Sequence, residues 1–178
     1  MWDEALSIGQ TQPWCGIRAF PFRKGSDKLR FLRVLLQRVS RAEVRVAGEV
    51  VGRIGPGLLV LLGVEKDDDD RVLTWYADKV ADLRIFADEA GKMNRSVEDV
   101  GGSVLVVSQF TLAARTRKGR RPSYADAAAP AVAEPMCERF VDSLRSRGLV
   151  VETGRFGAMM EVDLINDGPV TIMLEPPS

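Results

Sequence analysis

Apolar residues recur along this chain with two different periods, and the points where one period replaces the other mark its elements. From Arg33 onward β-branched and aliphatic residues dominate. Val34 to Val39 and Val44 to Val46 read as strand, Ala47, Gly48 and Glu49 as a turn, and Val50 to Ile54 as the returning arm of a hairpin. After the break at Gly55, Pro56 and Gly57, the unbroken apolar run Leu58 to Val64 fits a strand buried on both faces and central in its sheet. Asp67 to Asp70 then precede Val72, Trp75, Tyr76, Val80 and Leu83, which are spaced for one face of a helix with the acids at the positive end of its dipole. A calcium loop needs alternating ligands and a spaced glycine, so this acidic run predicts a helix start and not a metal site.

Farther along, Gly91 to Asn94 predicts a turn and Ser103 to Phe110 a second buried strand. A second helix follows Pro130, with Val132, Met136, Phe140, Val141 and Leu144 on its apolar face and Gly148 at its close. Cys137 lies beside that stripe, which favours core packing over reactivity. Val150 to Glu152, Met159 to Ile165 and Val170 to Leu174 supply the final strands, the last two connected through Gly168 and Pro169.

Length and composition narrow the chemistry. A chain of 178 residues, 46% of them hydrophobic, suits one well-buried domain. Residues 1 to 31 stand apart, with two of the three tryptophans, the basic cluster Arg23, Lys24, Lys28 and Arg30, and no sustained period; they read as an irregular extension ahead of a domain at 32–178. Twenty-five basic and 25 acidic side chains cancel, so any nucleic-acid partner must be recognised by local charge. The chain has no histidine, which removes Ser-His-Asp and Cys-His activation and histidine-bound zinc. Cys15 and Cys137 have no metal-ligand spacing, no run approaches the roughly 20 apolar residues of a membrane span, and Asp3 and Glu4 spoil a secretory signal. The expectation is a reduced, cytoplasmic protein with no membrane partner, no metal and no cofactor.

Two short segments carry the candidate chemistry, Ser108 to Leu112 and Asn166 to Thr171. If the first is extended, Gln109 and Thr111 point to one face and Phe110 to the other. Without histidine, catalysis has to lean on a hydroxyl, an amide, backbone dipoles or the substrate itself, and N–H groups near Phe110 and Thr111 could stabilise an oxyanion. In the second segment, a cis bond at Gly168-Pro169 would turn adjacent carbonyls the same way, a wall of acceptors able to read the handedness of an amino acid. Between the segments lies a basic stretch, Arg115, Arg117, Lys118, Arg120 and Arg121, in a loop marked by Gly119 and Pro122. Its position suits capture of a phosphate backbone.

Leu35 to Val46, Gly57 to Asp68, Gly101 to Ala114 and Gly154 to Thr171 together resemble the D-aminoacyl-tRNA deacylase family, and both short segments match the family's signatures in order. The resemblance implies a single α/β domain in which curved mixed sheets pack with two main helices. It implies hydrolysis of the ester of D-aminoacyl-tRNA, and of glycyl-tRNA mischarged on tRNA-Ala, as chiral proofreading in translation. Gln109, Phe110 and Thr111 would form the catalytic segment, and Ser108, Gly168, Pro169 and Arg38 would bind substrate and select its chirality. The partners implied are aminoacyl-tRNA and a second copy of the chain, whose Gly168-Pro169 enters the first copy's site. Arg38 corresponds to an arginine in the family's first strand that supports the Gly-Pro element; taken alone, it would read as a surface charge. The family's chains begin with methionine where Leu32 stands, so residues 1 to 31 are expected to be either a misassigned start or a tRNA-binding arm. Two rivals remain open, a nucleic-acid-binding module without turnover and an editing enzyme for L- or achiral esters.

Overall fold

The computed structural model describes residues 32–175, so the expectations for residues 1 to 31 lie outside the described residues. Eight strands and two helices follow in the order β1 (Arg33–Val46), β2 (Glu49–Ile54), β3 (Gly57–Gly63), α1 (Asp70–Asp82), β4 (Phe86–Ala87), β5 (Met93–Arg95), β6 (Ser103–Ser108), α2 (Pro130–Ser146), β7 (Val150–Thr153) and β8 (Glu161–Met173). A 3-10 turn, Phe110–Ala113, follows β6.

The expected break between Val39 and Val44 is absent: β1 is one strand of 14 residues, with irregularities on either side of Val39 in its pairing with β8. Along one edge β1 pairs antiparallel with β3 and then β2, and along the other with β8. From β3 the sheet continues through parallel β6 and β7, giving the order β2-β1-β3-β6-β7 with β8 beyond β1 and β3 in the centre, as its apolar run predicts. The sheet curls until β2 meets β7. A Cβ on Gly52 would fall 2.5 Å from the Thr153 carbonyl oxygen, so only glycine fits there.

Both faces of β3 are consumed by packing. Leu58, Val60 and Leu62 join the larger core beneath the helices with Leu36, Leu73, Tyr76 and Phe140. Leu59 points into the curl with Val39, Val44, Ile54, Leu105 and Val107. α1 starts where the acidic run predicts, with the Asp69 carboxylate accepting from the Arg71 and Val72 amides at 3.0 Å. On α2, Met136, Phe140, Val141 and Leu144 are buried, whereas Val132, in its first turn, is 49% exposed and does not belong to the apolar face. Arg147 caps α2 and ties it to the rest through Asp78 and Asp82 of α1 and through Glu98. β4 and β5 form a small hairpin across the expected turn.

Candidate active site

The first signature segment lies at the carboxyl ends of β3, β6 and β7, the usual location of ligand sites in sheets of this kind. Ser108 is the last residue of β6 and pairs with Leu62 of β3. The Gln109 amide still donates to the Leu62 carbonyl at 2.7 Å, and the chain then leaves the sheet. The expected strand to Phe110 is therefore two residues too long: Phe110 to Ala113 coil into the 3-10 turn, with Leu112 N–H donating to Gln109 and Ala114 N–H to Thr111, both at 3.1 Å. Gln109 and Thr111 do not share a strand face, since the Gln109 side-chain amide folds over to donate to the Thr111 hydroxyl. Phe110, in the turn and not on a strand face, is 57% exposed. The turn leaves the Phe110 and Thr111 amides as its first-turn donors, without backbone partners among the described residues, as at the start of any helix.

A groove of about 510 Å³ opens beside Ser108, bounded by Thr153, Arg155 and Phe156 on one side and by Glu138 and Val141 of α2 on the other. Cys137 also faces it. Burial, reinforced by Glu134 and Glu138, pushes its thiol up to about 11, so it stays protonated and inert near neutral pH.

The second segment is not a loop between two strands. β8 is continuous, and between the pairs Val39↔Asn166 and Gln37↔Thr171 the single residue Arg38 lies opposite four residues, Asp167 to Val170, which bulge outward. The Asn166 amide spans this bulge, donating to the Arg38 and Val170 carbonyls at 3.0 Å each, and Gln37 donates to the Thr171 hydroxyl at 3.1 Å. The Gly168-Pro169 peptide is cis and both residues are exposed. Gly168 has φ +122°, and a Cβ there would sit 2.6 Å from a terminal nitrogen of Arg38, so the position admits only glycine.

Arg38 is correspondingly not a surface charge. Only 9% exposed, it donates to the Ile85 carbonyl, lies 5.9 Å from the centre of the Phe86 ring, and places its Nε 3.0 Å from the Asp167 carboxylate, an ion pair without the alignment of a hydrogen bond. The bulge thus rests against a fixed cation. Asp167 and Phe86 have roles that the sequence pattern did not single out. Asp167 was visible as the one acid of the second segment, but its partner was not.

One chain does not bring the two segments together. Arg38 pairs with Leu58 and Ser108 with Leu62, four residues farther along β3, so they lie about 13 Å apart along the strand direction and on different strands. The bulge, beyond β1, is farther still from Gln109.

The basic stretch is a hairpin closed by Arg115 and Ser123, which exchange backbone bonds of 2.8 and 3.0 Å. Arg115 differs from its neighbours: Asp126 holds its guanidinium at the hairpin base. Arg117, Lys118, Arg120 and Arg121 are exposed on the loop. Tyr124 follows it, and its ring meets Phe110 edge to face at 5.1 Å. An aromatic residue three positions after the last of a run of cations was the signal for it in the sequence.

Comparison with known proteins identifies the family. The family model described as D-Tyr-tRNA(Tyr) deacylase matches residues 35–175. The D-aminoacyl-tRNA deacylase of Symbiobacterium thermophilum is 60% identical over 144 residues, covering 81% of this chain and 95% of the relative. That of Thermomicrobium roseum is 61% identical over 144 residues, covering 81% and 94%. Among solved structures, the c-Myc DNA Unwinding Element Binding Protein aligns with a TM-score of 0.77 and 42% identity over 82% of this chain and 99% of that one. A probable eukaryotic D-amino acid tRNA deacylase, at 22% identity and a TM-score of 0.70 over 80% and 98%, shares the fold. With a family match across nearly all the described residues and relatives near 60% identity, the chain belongs to the D-Tyr-tRNA deacylase family.

Proposed function

We propose that this chain hydrolyses the ester of D-aminoacyl-tRNA in a homodimer, each subunit's Gly168-Pro169 bulge completing the partner's site beside Gln109, Phe110 and Thr111. The observation that carries the dimeric site is the separation of the two segments within one chain, joined to the exposed bulge that Arg38 and Asn166 hold. A second copy brings together what one chain keeps apart.

Water attacks the ester carbonyl, and the Phe110 and Thr111 amides receive the developing oxyanion. The C–O bond to the terminal ribose then breaks, the ribose oxygen takes a proton from the attacking water, and free amino acid and tRNA leave. The substrate's neighbouring 2′-hydroxyl helps place that water. The Thr111 hydroxyl accepts from Gln109 and has no adjacent base, so its role is to position and not to attack. Main-chain groups at Gly168-Pro169 exclude an L side chain, and glycine, lacking one, is admitted; glycyl-tRNA mischarged on tRNA-Ala is therefore a second substrate. Arg117, Lys118, Arg120 and Arg121 bind tRNA phosphates, and Arg115, held by Asp126, braces their loop.

Matched D- and L-tyrosyl-tRNA test this reading. Selective loss of the D-ester, unaffected by a chelator, is expected; equal cleavage of both esters would overturn the chiral role. A second reading, nucleic-acid binding without turnover, draws on the same four cations and predicts salt-sensitive tRNA binding with neither ester cleaved.

A further inference from the structure

Two large aromatic rings lie open to solvent next to the candidate active site. Phe110 is 57% and Tyr124 39% exposed, their centroids 5.1 Å apart with planes inclined by 65°. An edge-to-face pair leaves ring surface free for a third planar group. Its surroundings are charged, not apolar. Tyr124 follows the closed hairpin, whose Arg117, Lys118, Arg120 and Arg121 form no ion pair among the described residues, while Asp126, the acid at the hairpin base, is already engaged with Arg115.

The hairpin is also held in place. Asp126 and Ala128 bond to Lys66 and Val64 just past β3, at 3.0 and 2.9 Å, and Glu65 forms a bridge with Ala127. The base of the hairpin therefore keeps a set position relative to β3 and, through it, to Gln109. Free aromatic faces beside unpaired cations are what unpaired nucleotides bind, bases stacking on rings and phosphates meeting charge. A protein partner would leave four like charges uncompensated unless it were acidic, and a duplex has no open base to offer the rings.

Building on the proposed function, we propose that Phe110 and Tyr124 form a stacking platform for an unpaired nucleotide just upstream of the esterified one, with the hairpin cations binding its phosphates. The platform would admit the single-stranded end of tRNA and disfavour a fully paired end. Stacking tolerates any base, so the contact holds the end without reading its sequence.

Fluorescence anisotropy with a short single-stranded RNA ending in CCA, against a blunt duplex carrying the same sequence, tests the platform in the full chain. Tyr124→Ala should weaken single-strand binding about tenfold with the salt dependence unchanged, while Tyr124→Trp restores it. Arg120→Gln with Arg121→Gln should instead flatten the salt slope by about 1.4. In Tyr124→Trp, RNA should also quench the new indole, a readout that does not depend on how the alanine variant folds. Tyr124→Ala binding as tightly as the unaltered protein, a blunt duplex binding equally well, or no quenching would overturn the inference. Hydrolysis of a D-aminoacyl ester of adenosine alone by the unaltered protein tests the proposed function separately, because that substrate has no upstream nucleotide to stack.

Discussion

The two signature segments are built in opposite ways. Gln109 to Thr111 sit where β6 ends against β3, on a platform whose interior, Leu62, Val106 and Val107, is almost wholly buried. Gly168 and Pro169 protrude from the outermost strand on the far side of β1 and are kept in shape by polar contacts, Arg38 to Asp167 and Ile85, Asn166 to two carbonyls, and Gln37 to Thr171. Apolar packing positions a recess well because burial is non-directional and fills space. A projection has too little volume to bury, so directional bonds must set its geometry.

Changing one member of each region separates their roles. Gly168→Ala brings a Cβ against Arg38 and Val170 at a backbone angle that disfavours side chains, and is expected to lower D-ester turnover about 100-fold while lowering the melting temperature by only about 2–4 °C. Thr111→Ala removes only the hydroxyl that accepts from Gln109 and should cost about tenfold in kcat; complete loss would instead make Thr111 the nucleophile. Mixing these two variants sharpens the contrast. In statistically mixed dimers about a quarter of the sites are intact, so activity should exceed the mean of the separate variants, and activity equal to that mean would place both segments in one chain's site.

Smaller effects are expected from the supports. Arg38→Lys keeps the charge but cannot meet Ile85 and Asp167 together, and should reduce D-over-L selectivity about fivefold, measured on the paired esters. Asp68, just past β3 and accepting from the Glu65 amide, makes a pH-dependent control. Burial pushes its carboxyl up to about 6, above its ordinary 3.8, so the folded state favours the protonated form. That stabilisation is complete below about pH 4 and is lost as pH rises through 6. Asp68→Asn mimics the protonated form and should melt about 2–4 °C above the unaltered protein at pH 8, the gap closing by pH 4; partial exposure keeps the effect this small.

Much of the scaffold was legible because it depends on local patterns. The run Leu58 to Val64 announced a strand buried on both faces, and Asp67 to Asp70 announced a helix start, since alternation and capping act within a few residues. Prediction failed where a local pattern met a distant partner. Ser108 to Phe110 reads as continuous strand, yet β3 offers its last bond to Gln109, and the chain turns away there. Met159 to Leu174 reads as two strands, yet pairing with β1 on both sides of Arg38 makes them one with a bulge.

By itself, the sequence determined the central strand buried on both faces, the two helices, the absence of histidine chemistry and both signature segments, because these follow from side-chain type and short spacing. Only the tertiary structure decided that Arg38 is a buried support, that Arg115 belongs to Asp126 while its neighbours have no ion pair among the described residues, and that Phe110 stands in solvent beside Tyr124. Each of these depends on a residue far along the chain or on another element, and a polar or aromatic side chain takes its role from the group it meets when the chain folds.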